Sequence, residues 1–96
     1  MLNIAARITK SNFADQIQSY FKQSLKQVCT LAPADSNVSA NLEEWAEGFD
    51  VKIDVQSTVF TGCSQGHEQN AYLAIDAAIG AIQEKIRIYK DSRNFN

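Results

Sequence analysis

From Leu2 to Ile8 every second residue is apolar (Leu2, Ile4, Ala6, Ile8), the two-residue period of a half-buried strand. Ser11 or Asn12 is placed to cap a following helix. Phe13, Ile17, Tyr20, Phe21, Ser24, Leu25 and Val28 then repeat at helical spacing, with Lys22 and Lys26 on the opposite face. Residues 31–36 hold the only proline, Pro33, and read as a loop. Val38, Ala40 and Leu42 give a second strand, and residues 44–48 a turn. Phe49, Val51, Ile53 and Val55 alternate with Asp50, Lys52, Asp54 and Gln56 in a third strand, and the short connection predicts an antiparallel hairpin. Residues 58–64 form a fourth strand whose inward set is either Val59, Thr61 and Cys63 or Phe60 and Gly62. Gly66 reads as the break before a long final helix, striped by Ala71, Tyr72, Ile75, Ala78, Ile79, Ile82, Ile86 and Tyr89.

The order β-α-β-β-β-α, with one apolar face per strand, predicts an α+β two-layer sandwich. A four-stranded sheet is covered on one face by two roughly parallel helices, and its other face is wet. Phe13, Ile17, Phe21, Ile75, Ile79 and Ile82 are expected to meet Ile4, Val51 and Ile53 in the core. Ninety-six residues make one domain, 1–96, with one core.

Composition narrows the function. Hydrophobic content of 45% is that of a globular chain, and no run has the roughly 18–20 apolar residues of a membrane span. Met1 to Lys10 lacks a signal-peptide core, so a cytoplasmic protein is the simplest expectation. No glycine-rich phosphate loop is present, and the single histidine, His67, stands in no nucleophilic motif. Glu43, Glu44 and Glu47 cluster at a turn, where a solvated charge run is expected rather than tuned catalytic carboxylates. Cys63 and His67 have a spacing that raises a metal site, but four ligands are needed and Cys29 is the one further soft donor. Catalytic residues, a metal, a cofactor and a small-molecule substrate are therefore not expected. Cys29 and Cys63 read as reduced, mostly buried thiols; Trp45 reads as an aromatic folded back on the sheet edge, the favoured reading, or as a contact aromatic.

The charge is unevenly spread. Residues 1–30 carry Arg7, Lys10, Lys22 and Lys26 against Asp15, a net of +3. Residues 85–96 carry Lys85, Arg87, Lys90 and Arg93 against Asp91, again +3. Between them nine acids stand against Lys52, a net of −8. Two cationic segments around an acidic centre hint at a polyanionic partner. Lysines and arginines near a helix C-terminus are also favoured by hydration and by the helix dipole, so periodicity alone does not assign them.

Tyr72-Leu73-Ala74-Ile75-Asp76, opening a helix that ends in lysines and arginines, resembles the ribosome hibernation-promoting factors. That family includes ribosome-associated inhibitor A, and its members were formerly called sigma-54 modulation proteins. Asp15, Ile17, Tyr20 and Leu25 fall where the family carries an acid, an aliphatic, a tyrosine and a leucine. The resemblance implies the β-α-β-β-β-α fold and a non-enzymatic translation inhibitor of the stress response. Such a factor binds in the RNA-lined decoding channel of the small ribosomal subunit and silences idle ribosomes. It implies RNA contacts from Lys22, Lys26, Lys85, Arg87, Lys90 and Arg93, with Arg7 and Lys10 as weaker candidates. The family is usually more basic than this chain, whose pI is about 5.2. Longer members continue into a C-terminal dimerisation domain, so this short form is expected to be a monomer when free. The alternative is a diverged member that binds a protein partner through its acidic side and no ribosome.

Overall fold

A computed structural model describes residues 2–8 and 13–93. Six elements follow in the expected order: β1 (Leu2–Arg7), α1 (Ala14–Leu31), β2 (Asn37–Trp45), β3 (Gly48–Gln56), β4 (Thr61–Glu68) and α2 (Ala71–Arg93). The sheet order is β1-β2-β3-β4. β1 runs parallel to β2 because α1 carries the chain back between them, and the remaining pairs are antiparallel. Both helices lie on one face, giving the expected two-layer α+β sandwich.

Alternation builds the core. Val38, Ala40 and Leu42 of β2 and Val51, Ile53 and Val55 of β3 point inward and are buried. Ile17, Phe21, Leu25 and Val28 of α1 and Ile75, Ile79, Ile82 and Ile86 of α2 close over them. Leu2, Ile4, Ala6 and Ile8 pack at its margin. Phe13 stays out, 61% exposed, because the helix starts one residue later and Phe13 occupies the N-cap, off the buried stripe. Ser11 and Asn12, the expected caps, lie outside the described residues.

The hairpin closes more tightly than the sequence suggests. Trp45 pairs with Gly48, leaving Ala46 and Glu47 as a two-residue loop. Gly48 has φ +153°, and a Cβ there would come within 2.5 Å of the Glu68 carbonyl oxygen.

β4 departs most from expectation. It starts at Thr61 rather than residue 58, because Ser57 organises residues 57–60 into a turn: its Oγ accepts from the Val59 and Phe60 amides, at 3.2 and 2.9 Å. Asp35 steadies this turn from across the fold, accepting from the Thr58 amide and hydroxyl at 2.9 and 2.8 Å. The inward residues are Gly62, Ser64 and Gly66, the second of the two faces considered. Gly66 does not break the chain; it is buried inside the strand beneath α2. The helix backbone comes so near that a Cβ on Gly66 would sit 2.4 Å from the Ala74 carbonyl oxygen and 3.0 Å from the Ala78 amide nitrogen. Ser64 Oγ donates to the Ala78 carbonyl at 2.8 Å.

Both cysteines are exposed, contrary to expectation. Cys29 follows buried Val28 by one step and so turns off the stripe of α1, while Cys63 alternates onto the wet face of β4. Trp45 does not fold back on the sheet edge: it is 54% exposed, because alternation sends it outward at the last residue of β2.

The Gly66 contact is testable. Gly66→Ala is expected to destabilise the domain by about 1–3 kcal/mol through overpacking against main-chain atoms that cannot swing aside. Gly80→Ala, where nothing lies within 4 Å of the added methyl, is the control and should be neutral or stabilising. Equal denaturant midpoints for parent and Gly66→Ala would contradict the packing described.

Candidate functional site

α2 starts where Asn70 Oδ1 accepts the amides of Tyr72 and Leu73, at 2.8 and 3.2 Å, which caps the helix. This fixes the motif residues against α1. Tyr20 Oη donates to Asp76 Oδ1 at 2.5 Å, and the Tyr20 and Tyr72 rings meet edge to face at 5.0 Å. Tyr20, Tyr72 and Asp76 thus form one clamp joining the two helices near their starts. Further along, Leu31 and Ile86 line one cleft, so the helices run side by side in the same direction. Tyr72 belongs to this clamp rather than to the core stripe, and is 36% exposed. The groove between the helices carries Gln23, Gln27 and Gln83 along its middle. The hydrogen bond to Asp76 is the main cause that raises the Tyr20 pKa above 10.0; a little desolvation and the Asp76 charge add to it.

The cationic residues are divided among four surfaces. Lys22 and Lys26 stand exposed on the outer side of α1. Arg87 and Lys90 are exposed on the last turns of α2, around the end of the interhelical groove. Arg87 is ion-paired with Glu84, one turn before it. Lys85 does not join them. It leans over the edge of the sheet, and its Nζ donates to the Cys63 carbonyl at 2.5 Å, capping the outer edge of β4. Arg7 is exposed at the end of β1, with Glu43 as its register partner on β2. Lys10 lies outside the described residues, as does the side chain of Arg93, the last residue of α2.

The wet face of the sheet has its own order. Arg7, Glu43, Asp50 and His67 form one cross-strand row, with the two acids directly opposed and a base at each end. His67 Nδ1 contacts Asp50 Oδ1. Cys63 and His67 share this face but lie four residues apart along an extended strand, roughly 13 Å, which is too far for one metal ion. Among the described residues no three His, Cys, Asp or Glu side chains group as a metal site. No helix among them is long and apolar enough to cross a membrane.

Sequence reasoning named the motif residues but not why they belong together. The signal was present in the placement of Tyr20 and Asp76, one on each helix.

No family model matches the chain, and no curated protein matches it by sequence. Solved structures do match. The N-terminal domain of Protein Y from Thermus thermophilus superposes with a TM-score of 0.72, covering 91% of this chain and 94% of that one at 15% identity. A ribosomal subunit interface protein from Coxiella burnetii gives a TM-score of 0.69, covering 94% and 97% at 13% identity. The chain has the Protein Y fold. At such identity the likeness is one of backbone architecture.

Within the Protein Y fold, the Tyr20–Asp76 clamp carries a pH prediction. The folded state favours the protonated phenol, so its contribution is complete below about pH 10 and is lost as pH rises through the higher folded value. Thermal stability should therefore fall more steeply above pH 10 in the parent than in Tyr20→Phe. Parallel stability curves for the two above that pH would remove the clamp from the account.

Proposed function

We propose that the domain docks on ribosomal RNA of the small subunit, in the decoding channel, and inhibits translation by occupancy. The observation that carries this reading is the exposed display of Lys22, Lys26, Arg87 and Lys90 on the helix layer of a domain with the Protein Y fold. One of the two matched proteins supports it by name, being called a ribosomal subunit interface protein. The chemistry suits phosphate contact. These four cations reach outward from two rigid, parallel helices, and none is used by the core. Such contacts give affinity without base readout, and the shape of an RNA-lined channel supplies selectivity. The mode is steric: the wedge excludes messenger and transfer RNA and needs no reaction.

Lys85 has a different part from its neighbours. Its ammonium group holds the β4 edge, so it acts on the fold at least as much as on RNA. Arg87 must exchange Glu84 for phosphate, which lowers what it adds.

Co-sedimentation with small ribosomal subunits over a salt series tests the proposal. If four to six phosphates are neutralised, log affinity should fall against log salt with a slope of roughly −3 to −5. The variant Lys22→Gln/Lys26→Gln/Arg87→Gln/Lys90→Gln should flatten the slope by roughly 3 while leaving the melting transition near the parent's. Full co-sedimentation by this variant would overturn the reading. A parent that fails to sediment with ribosomes would favour the protein-partner alternative.

A further inference from the structure

Three of the four glycines answer to the fold: an added Cβ on Gly48, Gly62 or Gly66 would meet another atom at 2.7 Å or less. Gly80 is the exception. It sits inside α2, where a glycine weakens a helix relative to alanine, and nothing lies within 4 Å of the methyl it lacks. Internal packing gives no reason for the gap. What such a gap permits is close approach of a ligand to the main chain. Gly80 lies on the open groove between the helices. It lines the middle of that groove, about 490 Å³ with Gln23, Gln27 and Gln83, and also its continuation toward Arg87 and Lys90. Among the described residues no hydrogen bond occupies the side-chain amides of these three glutamines. The acids of the lining are both engaged, Asp76 by Tyr20 and Glu84 by Arg87. Lys26 is exposed one turn beyond Gln23 on α1.

Each glutamine amide offers two donors and an acceptor without charge, a match for the mixed donors and acceptors of a nucleobase edge. A flat ring fits a gap the depth of one missing side chain. Duplex RNA is recognised mostly by its shape and phosphates, whereas unpaired nucleotides present their base edges. We propose that the interhelical groove takes an unpaired RNA nucleotide, its base laid on the backbone at Gly80 and its edge hydrogen-bonded by Gln23, Gln27 and Gln83. The phosphates on either side of that base fall to Lys26 and Lys90. The inference rests on the RNA-docking reading and narrows it: the cations hold the backbone, and the groove selects single strand over duplex.

The full chain is titrated with a labelled single-stranded oligouridylate of about ten nucleotides, and with a duplex RNA of the same length, by fluorescence anisotropy. Gly80→Leu fills the gap with a good helix former. It should weaken single-strand binding about tenfold or more while melting at or above the parent's temperature. Gly80→Ala should bind more weakly than the parent and better than Gly80→Leu, although it is at least as stable as the parent. Gln23→Ala/Gln27→Ala/Gln83→Ala should also lose about tenfold or more. The salt slope should stay at the parent's in each, because no cation is removed. Duplex binding should be the same in all of them. The groove is overturned if the parent does not bind the single strand, if binding survives Gly80→Leu, or if the duplex shares the loss equally. Sedimentation of the parent with ribosomes would leave the docking reading standing even then. Gly80-dependent binding of the oligouridylate by a parent that fails on ribosomes would keep the groove and overturn the docking reading.

Discussion

The close approach of α2 to β4 governs the rest of the molecule. A strand presenting Gly62, Ser64 and Gly66 inward has almost no side chain to offer, so the helix lies with Ala74 and Ala78 nearly on the strand backbone. At that range main-chain atoms of the helix become contact atoms, and Ser64 bonds to a helix carbonyl already used in the helix ladder. Little sliding or rolling is tolerated, because each small shift meets backbone rather than a side chain that can rotate away. The rotational setting of α2 then decides what every other face shows: Asp76 to α1, Lys85 to the sheet edge, and Arg87 and Lys90 to solvent.

The second helix contact is polar where the first is steric. Tyr20 and Asp76 lock the helix pair at its start, while glutamines line the groove beyond them. The Tyr-x-Ala-Ile-Asp segment therefore reads as three jobs in five residues. Tyr72 and Asp76 face α1, Ala74 meets β4, and Ile75 enters the core. A functional role is not needed to explain this short motif, since each position has a packing reason.

Legibility in the sequence followed side-chain size. Val51, Ile53 and Val55 on β3, and Ile75, Ile79, Ile82 and Ile86 on α2, show clean periods because large apolar groups must turn inward. β4 was misplaced because its inward residues are glycines and a serine, which locally spell a turn. The need for them arises only once α2 lies above, a tertiary demand that no window of neighbouring residues contains. Cys29 and Cys63 run the other way: residue type argues for burial, while position in the period sends each outward. The cations were named from resemblance and not from spacing, and the division of Lys85 from Arg87 and Lys90 follows from where the β4 edge passes beneath the helix. The meeting of the hairpin turn with the end of β4 lies outside any local window, because the β3–β4 register joins residues 44–49 to residues 67–69 across the chain.

Glu44, Glu47 and Glu68 gather where the hairpin turns, by the start of α2, and Arg87 and Lys90 stand at its other end, a separation with a consequence for how salt acts. Twenty-three helical residues span roughly 34 Å, whereas the Debye length in about 0.1 M salt is roughly 10 Å. Each end is therefore hidden from the other by the ion atmosphere. In dilute salt a highly charged surface feels a body of net charge −2 and an orienting torque on it. At physiological strength that same surface meets two unconnected electrostatic objects on one rigid rod. The overall isoelectric point then says little about which of them it will attract.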